Sequence, residues 1–284
     1  MRPFAVPAGA IDAHVHLFDP SRFPFADDAP YRPPPAECGG EGDLHAVLAA
    51  HGFAGALLVN PSSGYGDDNA CMLDALARGQ GCYRGIARVP LGVRPARLRA
   101  LALSGVAGIR RDLVGEGTAE LTDPALARLA RMLADLDLVL QLHCQGEQAI
   151  AVANAAGSLP CRVVIDHCGR PDPRAGLRAP AFRSLLALAA LPRVAVKLSG
   201  AFRFGHSAPA YEDADGPARA LIAAFGPERC VWGSDWPFVR MPHRIDYGTS
   251  LAILARWVPD ARTRRRILVD TPRRWFGFDS WRTS

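Results

Sequence analysis

Eight short apolar runs, largely β-branched, punctuate the chain: residues 10–17, 54–60, 84–89, 107–114, 138–142, 162–166, 194–198 and 230–232. Runs of this length, bounded by turn residues, read as strands buried on both faces. Between them lie segments of helical length with recognisable ends. These are Asp43 as an N-cap, Gly52 after His51, Gly79, Pro95 with Gly105, Thr122-Asp123-Pro124, and Gly157. Strand alternating with helix eight times over about 250 residues predicts an α/β chain, a (β/α)8 TIM barrel, with residues 1–284 as one domain. An open doubly wound sheet would require a glycine-rich phosphate loop after an early strand, and neither GxGxxG nor a P-loop occurs. The Pro-rich stretch 19–42 has no periodicity and falls between the first strand and its helix, so it is expected to form a loop over the barrel mouth.

Composition narrows the class. With 284 residues and 49% hydrophobic content, the chain can bury one full core. No run of eighteen apolar residues occurs, and residues 1–10 lack the long apolar centre of a signal peptide. A cytoplasmic protein with no membrane partner is therefore expected. Seven cysteines without a CxxC pair fit reduced thiols better than a disulfide framework or a structural zinc site. Cys144 and Cys168 each follow a histidine and should point away from whatever that histidine faces. The formal charge of +5 is spread along the chain and is almost all arginine, Lys197 being the one lysine. Without a basic tract interleaved with aromatics, nucleic acid is not an expected partner, whereas a small anionic substrate is. The densest basic run, residues 262–266, reads as a solvated face of the last helix. An oligomer is compatible with all of this.

The candidate chemistry begins in the first run. Asp12, His14 and His16 alternate with apolar residues and would share one face of a strand. Two imidazoles with a carboxylate behind them form part of a metal or acid–base site, although an isolated HxH can equally be a pair of structural histidines. The other strand ends carry Ser62, Arg88, Arg110 with Asp112, Gln141 with His143, Asp166 with His167, Lys197 with Ser199 and Arg203, and Asp235. In such a barrel these converge on one mouth. His14, His16, His143, His167 and Asp235 would suit one divalent ion, zinc or manganese, with a position left open for water. Lys197 is expected in an ion pair inside the barrel, with Asp166 or Asp12. Ser62 and Ser199 have no neighbouring histidine and no GxSxG elbow, so serine nucleophilic catalysis is not expected.

The pattern of HxH at the first strand, histidine after the fifth and sixth, and aspartate after the eighth resembles the amidohydrolase superfamily. Ile165-Asp166-His167-Cys168-Gly169-Arg170-Pro171-Asp172, Trp232-Gly233-Ser234-Asp235-Trp236-Pro237 and Gly108-Ile109-Arg110 resemble one branch of it, the 2-pyrone-4,6-dicarboxylate lactonases and related sugar-lactone hydrolases. The likeness runs from about Gly9 to Phe278. It implies that Asp235 activates water, that His14, His16 and His167 line the reacting carbonyl, and that Arg110 and Arg203 bind substrate carboxylates. Ser62 and Tyr31 are weaker matches on loops. Two positions depart from the pattern. His143 stands where the dicarboxylate lactonases carry tyrosine and work without metal, and Phe238 stands where the family tends to read histidine. The first departure keeps metal dependence open, one ion being favoured over two; the second keeps the substrate open.

The expected activity is hydrolysis of a lactone carrying carboxylates, such as a 2-pyrone-4,6-dicarboxylate-like compound, with Asp235 as the base and His143 and His167 supporting the oxyanion. The alternatives are a metal-dependent aromatic-acid decarboxylase of the same superfamily and a non-catalytic barrel that binds an anionic metabolite. Asp235 weighs against the last, because an anion site gains nothing from a buried carboxylate.

Overall fold

A computed structural model describes residues 5–241, 243 and 245–278. All eight predicted strands form: β1 Ile11–Val15, β2 Gly55–Val59, β3 Tyr83–Ala87, β4 Val106–Asp112, β5 Val139–His143, β6 Arg162–Ile165, β7 Val194–Leu198 and β8 Cys230–Trp232. They are hydrogen-bonded in chain order, each pair parallel. Parallel neighbours need a crossover at every step. Helices such as Glu41–His51, Ala70–Arg78, Pro124–Asp135 and Asp215–Phe225 supply it, giving the (β/α)8 barrel.

The barrel closes through the chain just beyond β8. Asp235 N donates to His14 O at 2.9 Å, and His16 N donates to Trp236 O at 2.8 Å. The segments carrying HxH and Asp235 are thus stitched together backbone to backbone.

Alternation sorts the side chains into two layers. Ile11, Leu57, Ile86, Val139, Val164, Ala195 and Val231 pack together inside the barrel with Trp275, Phe276 and Phe278. A larger apolar layer fills the space between strands and helices, and Cys144 and Cys168 lie buried in it. Each buried aliphatic of this kind contributes about 1.5–3 kcal/mol.

The expectation that Asp12, His14 and His16 share one face is overturned. Asp12 pairs with Ala56 but Val15 with Leu58, so three steps along β1 match two along β2. The extra residue is a β-bulge, which switches the inward set from Ile11 and Ala13 to His14 and His16. Asp12 is left facing the outer helix. Its carboxylate accepts from His14 N at 3.1 Å, Ser234 N at 2.9 Å and the Tyr247 hydroxyl at 2.8 Å. A bulge frees backbone groups that must be satisfied when buried, and Asp12 satisfies them.

Local signals at helix ends were mostly placed correctly. Asp123 caps its helix by accepting from Ala125 N at 2.7 Å, and Gly52 ends the first helix in the left-handed region. Asp43 is not an N-cap: it occupies the third helical position and reaches back to Gly40 N at 2.9 Å. The run 262–266 lies in the penultimate helix, Ala261–Arg265, and the first residue of a π turn, Arg266–Asp270, which separates that helix from the last one, Thr271–Phe276. The Pro-rich stretch yields to helix at Glu41 and brings Pro30 to the mouth cavity.

Removing the Asp12 carboxylate would strand two backbone N–H groups and a phenol in the interior. Asp12→Ala is expected to lower the unfolding free energy by about 3 kcal/mol and Tyr247→Phe by about 1 kcal/mol, since each buried polar group left unpaired costs roughly 1–3 kcal/mol. Urea unfolding followed by circular dichroism measures both; equal losses would show that Asp12 does not hold the bulge.

Candidate active site

Above the apolar interior lies a fully buried polar layer. Lys197 Nζ is 3.1 Å from Asp166 Oδ1, 2.8 Å from Gln141 Oε1 and 3.0 Å from His14 Nδ1. Asp166 Oδ2 accepts from Arg110 Nε at 3.0 Å and from Gln141 Nε2 at 2.9 Å. Of the two partners proposed for Lys197, the structure selects Asp166. Burial alone would raise the Asp166 carboxyl, but Lys197 and Arg110 hold it well below the usual carboxylate range. Burial also pushes the Lys197 ammonium down to about 8, against the pull of Asp166.

The next layer contains the predicted base. Asp235 has φ 66°, in the left-handed region, a strain of about 1–3 kcal/mol for a non-glycine residue that the surrounding backbone bonds must hold. Its Oδ2 accepts from Arg203 Nε at 2.7 Å. Its Oδ1 is buried without a hydrogen-bond partner among the described residues. That oxygen faces His16 Nε2 at 3.3 Å, His14 Nε2 at 3.7 Å and His167 Nε2 at 3.9 Å. Burial tends to raise the Asp235 carboxyl, yet the Arg203 guanidinium beside it keeps it well below the usual range and so ionised. Close approach of β8 to β1 requires Gly233, because a Cβ there would stand 2.4 Å from His14 Cβ.

Each remaining histidine is oriented from behind. His16 Nδ1 lies 2.8 Å from Val59 O, His167 Nδ1 2.8 Å from Ser199 Oγ, and His143 Nδ1 2.8 Å from Asp112 Oδ1. The last pair follows from register, since Asp112 and His143 are direct partners of β4 and β5. Burial lowers the pKa of His14, His143 and His167 and favours their neutral forms.

A cavity of about 450 Å³ opens above these groups, edged by Arg110, Arg170, Arg203 and Arg240. The predicted arginines divide by which atoms are engaged. Arg110 uses Nε on Asp166, and no bond to a described residue occupies its Nη atoms, whereas Arg203 is tied to Asp235 and to Val239 O at 2.6 Å. Ser62 donates to Asp112 Oδ2 at 2.6 Å and accepts from Arg88 Nη1 at 3.1 Å, so it braces the His143 partner. Tyr31 donates to Glu37 at 2.7 Å under the Arg240 guanidinium, outside the cavity lining.

Two lining arginines were not singled out from the sequence. Arg170 sits in the turn after His167, with Nη1 3.5 Å from His143 Nε2 and Nη2 donating to Arg203 O at 3.2 Å. Its signal was its fixed place in the segment that carried the family resemblance. Arg240 comes from the loop after β8 and had no signal.

The amidohydrolase family model matches residues 11–278. The chain belongs to the amidohydrolase family. It is 34% identical to 4-sulfomuconolactone hydrolase of Rhizobium radiobacter, with 96% of this chain and 92% of that protein covered. It is 31% identical to 2-pyrone-4,6-dicarboxylate hydrolase of Comamonas testosteroni, with the same 96% and 92% coverage. Among solved structures, a Pseudomonas putida protein provisionally named a 2-pyrone-4,6-dicarboxylic acid hydrolase matches with a TM-score of 0.87 and 34% identity, covering 96% of this chain and 99% of that one. A 2,6-dihydroxybenzoate decarboxylase from Rhizobium shares the fold alone, at a TM-score of 0.60 and 15% identity.

Amidohydrolases often hold a metal, and two trios bring their donor atoms within 4.8 Å of one another: His14, His16 and Asp235, and His14, Asp166 and His167. In the second trio Asp166 is already surrounded by Lys197, Arg110 and Gln141. In the first, the unpartnered Asp235 Oδ1 suits an ion, and so does His16, whose Nδ1 is held by a carbonyl in the manner of metal-bound imidazoles. His14 does not fit: its Nδ1 meets a lysine ammonium, which can only donate, so its own proton falls on Nε2, the nitrogen an ion would need. His143 stands outside both trios.

Asp166→Asn would leave Lys197 and Arg110 buried against a neutral amide. This amidohydrolase is then expected to lose about 3–5 kcal/mol of stability, the cost of breaking a buried ion pair on one side. Guanidinium denaturation measures the loss, and a value under about 1 kcal/mol would show that Gln141 and His14 suffice to hold the ammonium.

Proposed function

We propose that this amidohydrolase hydrolyses a lactone bearing anionic groups, with Asp235 as the base. One observation carries the reading: a buried, ionised carboxylate oxygen without a donor lies at the floor of a cavity edged by four arginines. A site that only bound anions would not place a carboxylate there. The names of the relatives support the class, since 4-sulfomuconolactone and 2-pyrone-4,6-dicarboxylate are both lactones with anionic substituents.

The reaction follows from these positions. Water adds through its oxygen to the lactone carbonyl carbon while its proton passes to Asp235 Oδ1. The charge that develops on the carbonyl oxygen is met by donors on the same face, for which His167 Nε2 and the Arg170 guanidinium are placed. Collapse breaks the ring C–O bond, and the proton on Asp235 goes to the departing oxygen. Arg203 holds Oδ2, so Oδ1 is the oxygen that turns to the water. Arg110, Arg170 and Arg240 are the carboxylate partners, a planar guanidinium suiting a carboxylate in bidentate fashion. Ser62 lines the cavity while bracing Asp112, Tyr31 acts from behind the lining, and His143, backed by Asp112, faces the substrate from β5.

The proposed setting is the cytoplasm. All seven cysteines are free, as a reducing compartment requires, and no helix among the described residues is long and apolar enough to cross a membrane.

Asp235→Asn keeps the shape but removes the base, so kcat should fall by about 10²–10⁴-fold while KM changes little. Lactone opening followed by acid release checks this, and a variant that keeps most of its activity would place the base elsewhere. Arg110→Met should raise KM for a dicarboxylated lactone by roughly 10- to 100-fold, from the loss of one charge-assisted contact worth about 1.5–3 kcal/mol. A neutral lactone serves as the control; an equal rise for both would assign Arg110 to structure alone.

A further inference from the structure

We propose that Lys197 fixes the proton of His14 on Nε2 and so converts the His-x-His pair into a closed hydrogen-bonded unit that offers no lone pair to a metal ion. Lys197 is thus a positioning residue: it acts on the reaction only through His14. The inference concerns the same cavity as the lactonase reading, but its readouts need no lactone.

The argument is an inventory of donors and acceptors. A lysine ammonium has three N–H bonds and no acceptor capacity. Two acceptors hydrogen-bond Lys197 Nζ, Gln141 Oε1 at 2.8 Å and His14 Nδ1 at 3.0 Å, and Asp166 Oδ1 stands in ion-pair contact with it at 3.1 Å. The Gln141 amide cannot turn the other way, because its Nε2 is required by Asp166 Oδ2 at 2.9 Å and a carboxylate only accepts. All four side chains are fully buried, so water does not compete for these bonds. His14 Nδ1 is therefore an acceptor, and the ring carries its proton on Nε2.

The same count settles His16. Its Nδ1 lies 2.8 Å from Val59 O, a carbonyl, so Nδ1 donates and Nε2 is bare. That bare nitrogen is 3.3 Å from His14 Nε2. The bonds thus run in one direction, from Lys197 to His14, from His14 to His16, and from His16 to the Val59 carbonyl, with both rings neutral and each donor meeting one acceptor. Reversing them would require an unprotonated lysine 3.1 Å from a carboxylate, where opposite charge favours the ammonium. The arrangement also explains why Asp235 Oδ1 has no partner. The nearest histidine nitrogen, His16 Nε2 at 3.3 Å, is itself a lone pair, which leaves the oxygen free to take a proton from water.

Nitrogen-15-labelled histidine in the chelator-treated protein, read by long-range proton–nitrogen correlation with His14→Gln to assign the signals, tests the first half. Wild-type His14 should be neutral with Nε2 protonated and Nδ1 bare. The second half uses Lys197→Met, in which Arg110 still balances Asp166. The His14 proton should then move to Nδ1, where Asp166 Oδ1 lies 3.5 Å away, and expose the Nε2 lone pair. Zinc affinity measured by calorimetry should rise by about 10- to 100-fold over wild type, the usual effect of the groups that orient a ligating histidine. A wild-type His14 protonated on Nδ1 overturns the proposal, as does zinc binding no tighter in Lys197→Met than in wild type. Should that variant not fold, the wild-type tautomer decides alone. Failure to open lactones would count against the lactonase reading and leave both readouts unchanged.

Discussion

The arrangement depends on one buried charge group: Asp166 between Lys197 and Arg110, all within the barrel. Removing ions from water costs several kcal/mol each, and only close, complete pairing offsets it. The pairing is close on both sides: Oδ2 accepts from Arg110 and Gln141, and Oδ1 stands in ion-pair contact with Lys197 Nζ at 3.1 Å, without a hydrogen bond from a described residue. The group also ties three layers of structure together. Gln141 and Lys197 come from β5 and β7, Arg110 reaches the mouth cavity, and His14 belongs to the reacting layer. A change at this level is felt at the floor of the active site, because the imidazole above it takes its orientation and its proton position from the groups below.

Closure of the barrel adds a second constraint. Between β8 and β1 the sheet is completed at the mouth by backbone hydrogen bonds of Asp235 and Trp236, which fix Asp235, the proposed base, relative to His14 and His16 through the main chain rather than by side-chain packing. The bulge in β1, the left-handed Asp235 and the glycine at 233 are the local irregularities this demands. Irregularities of this kind cost stability, and they persist where the surrounding structure over-determines them. Here Asp12 pays that cost from outside the barrel, holding the bulge and the Ser234 backbone with one carboxylate.

The barrel was legible because a parallel sheet covered on both faces needs largely apolar strands, unbroken at β2 and interrupted at β5 and β7 only by Gln141, His143 and Lys197. Histidines and aspartate at strand ends were legible for the same reason, since the fold alone brings those ends together. The bulge was not. Asp12, His14 and His16 alternate so regularly that period-two logic puts them on one face, and only the pairing with β2 shows that Asp12 looks outward. Nor could the sequence divide the labour among arginines. Arg110 and Arg203 look alike as residues at strand ends, yet one keeps its terminal nitrogens for the cavity while the other is bound to the base. Arg240 sits on a loop whose path no periodicity encodes.

A barrel of this kind does not choose its reaction, as the shared fold of a decarboxylase at 15% identity illustrates. The choice lies in the donor–acceptor balance at the floor of the cavity. A carboxylate oxygen without a donor among the described residues, Asp235 Oδ1, calls for a proton, which water can supply. On the proposed reading Arg110, Arg170 and Arg240 bind the anionic groups of the substrate, and Arg170 with His167 meets the oxyanion that forms during attack. Hydrogen bonds and fixed cations stabilise that charge less than direct bonding to a Lewis acid would, so they suit an acyl group whose leaving oxygen departs readily. An enol or phenol-like ring oxygen meets that condition and an amide nitrogen does not. On the proposed reading, the hydrogen-bonding pattern around His14 bears on the substrate as well as on the metal: it would favour cyclic esters with a stabilised leaving group among the wider range of bonds that this family's barrel could hold.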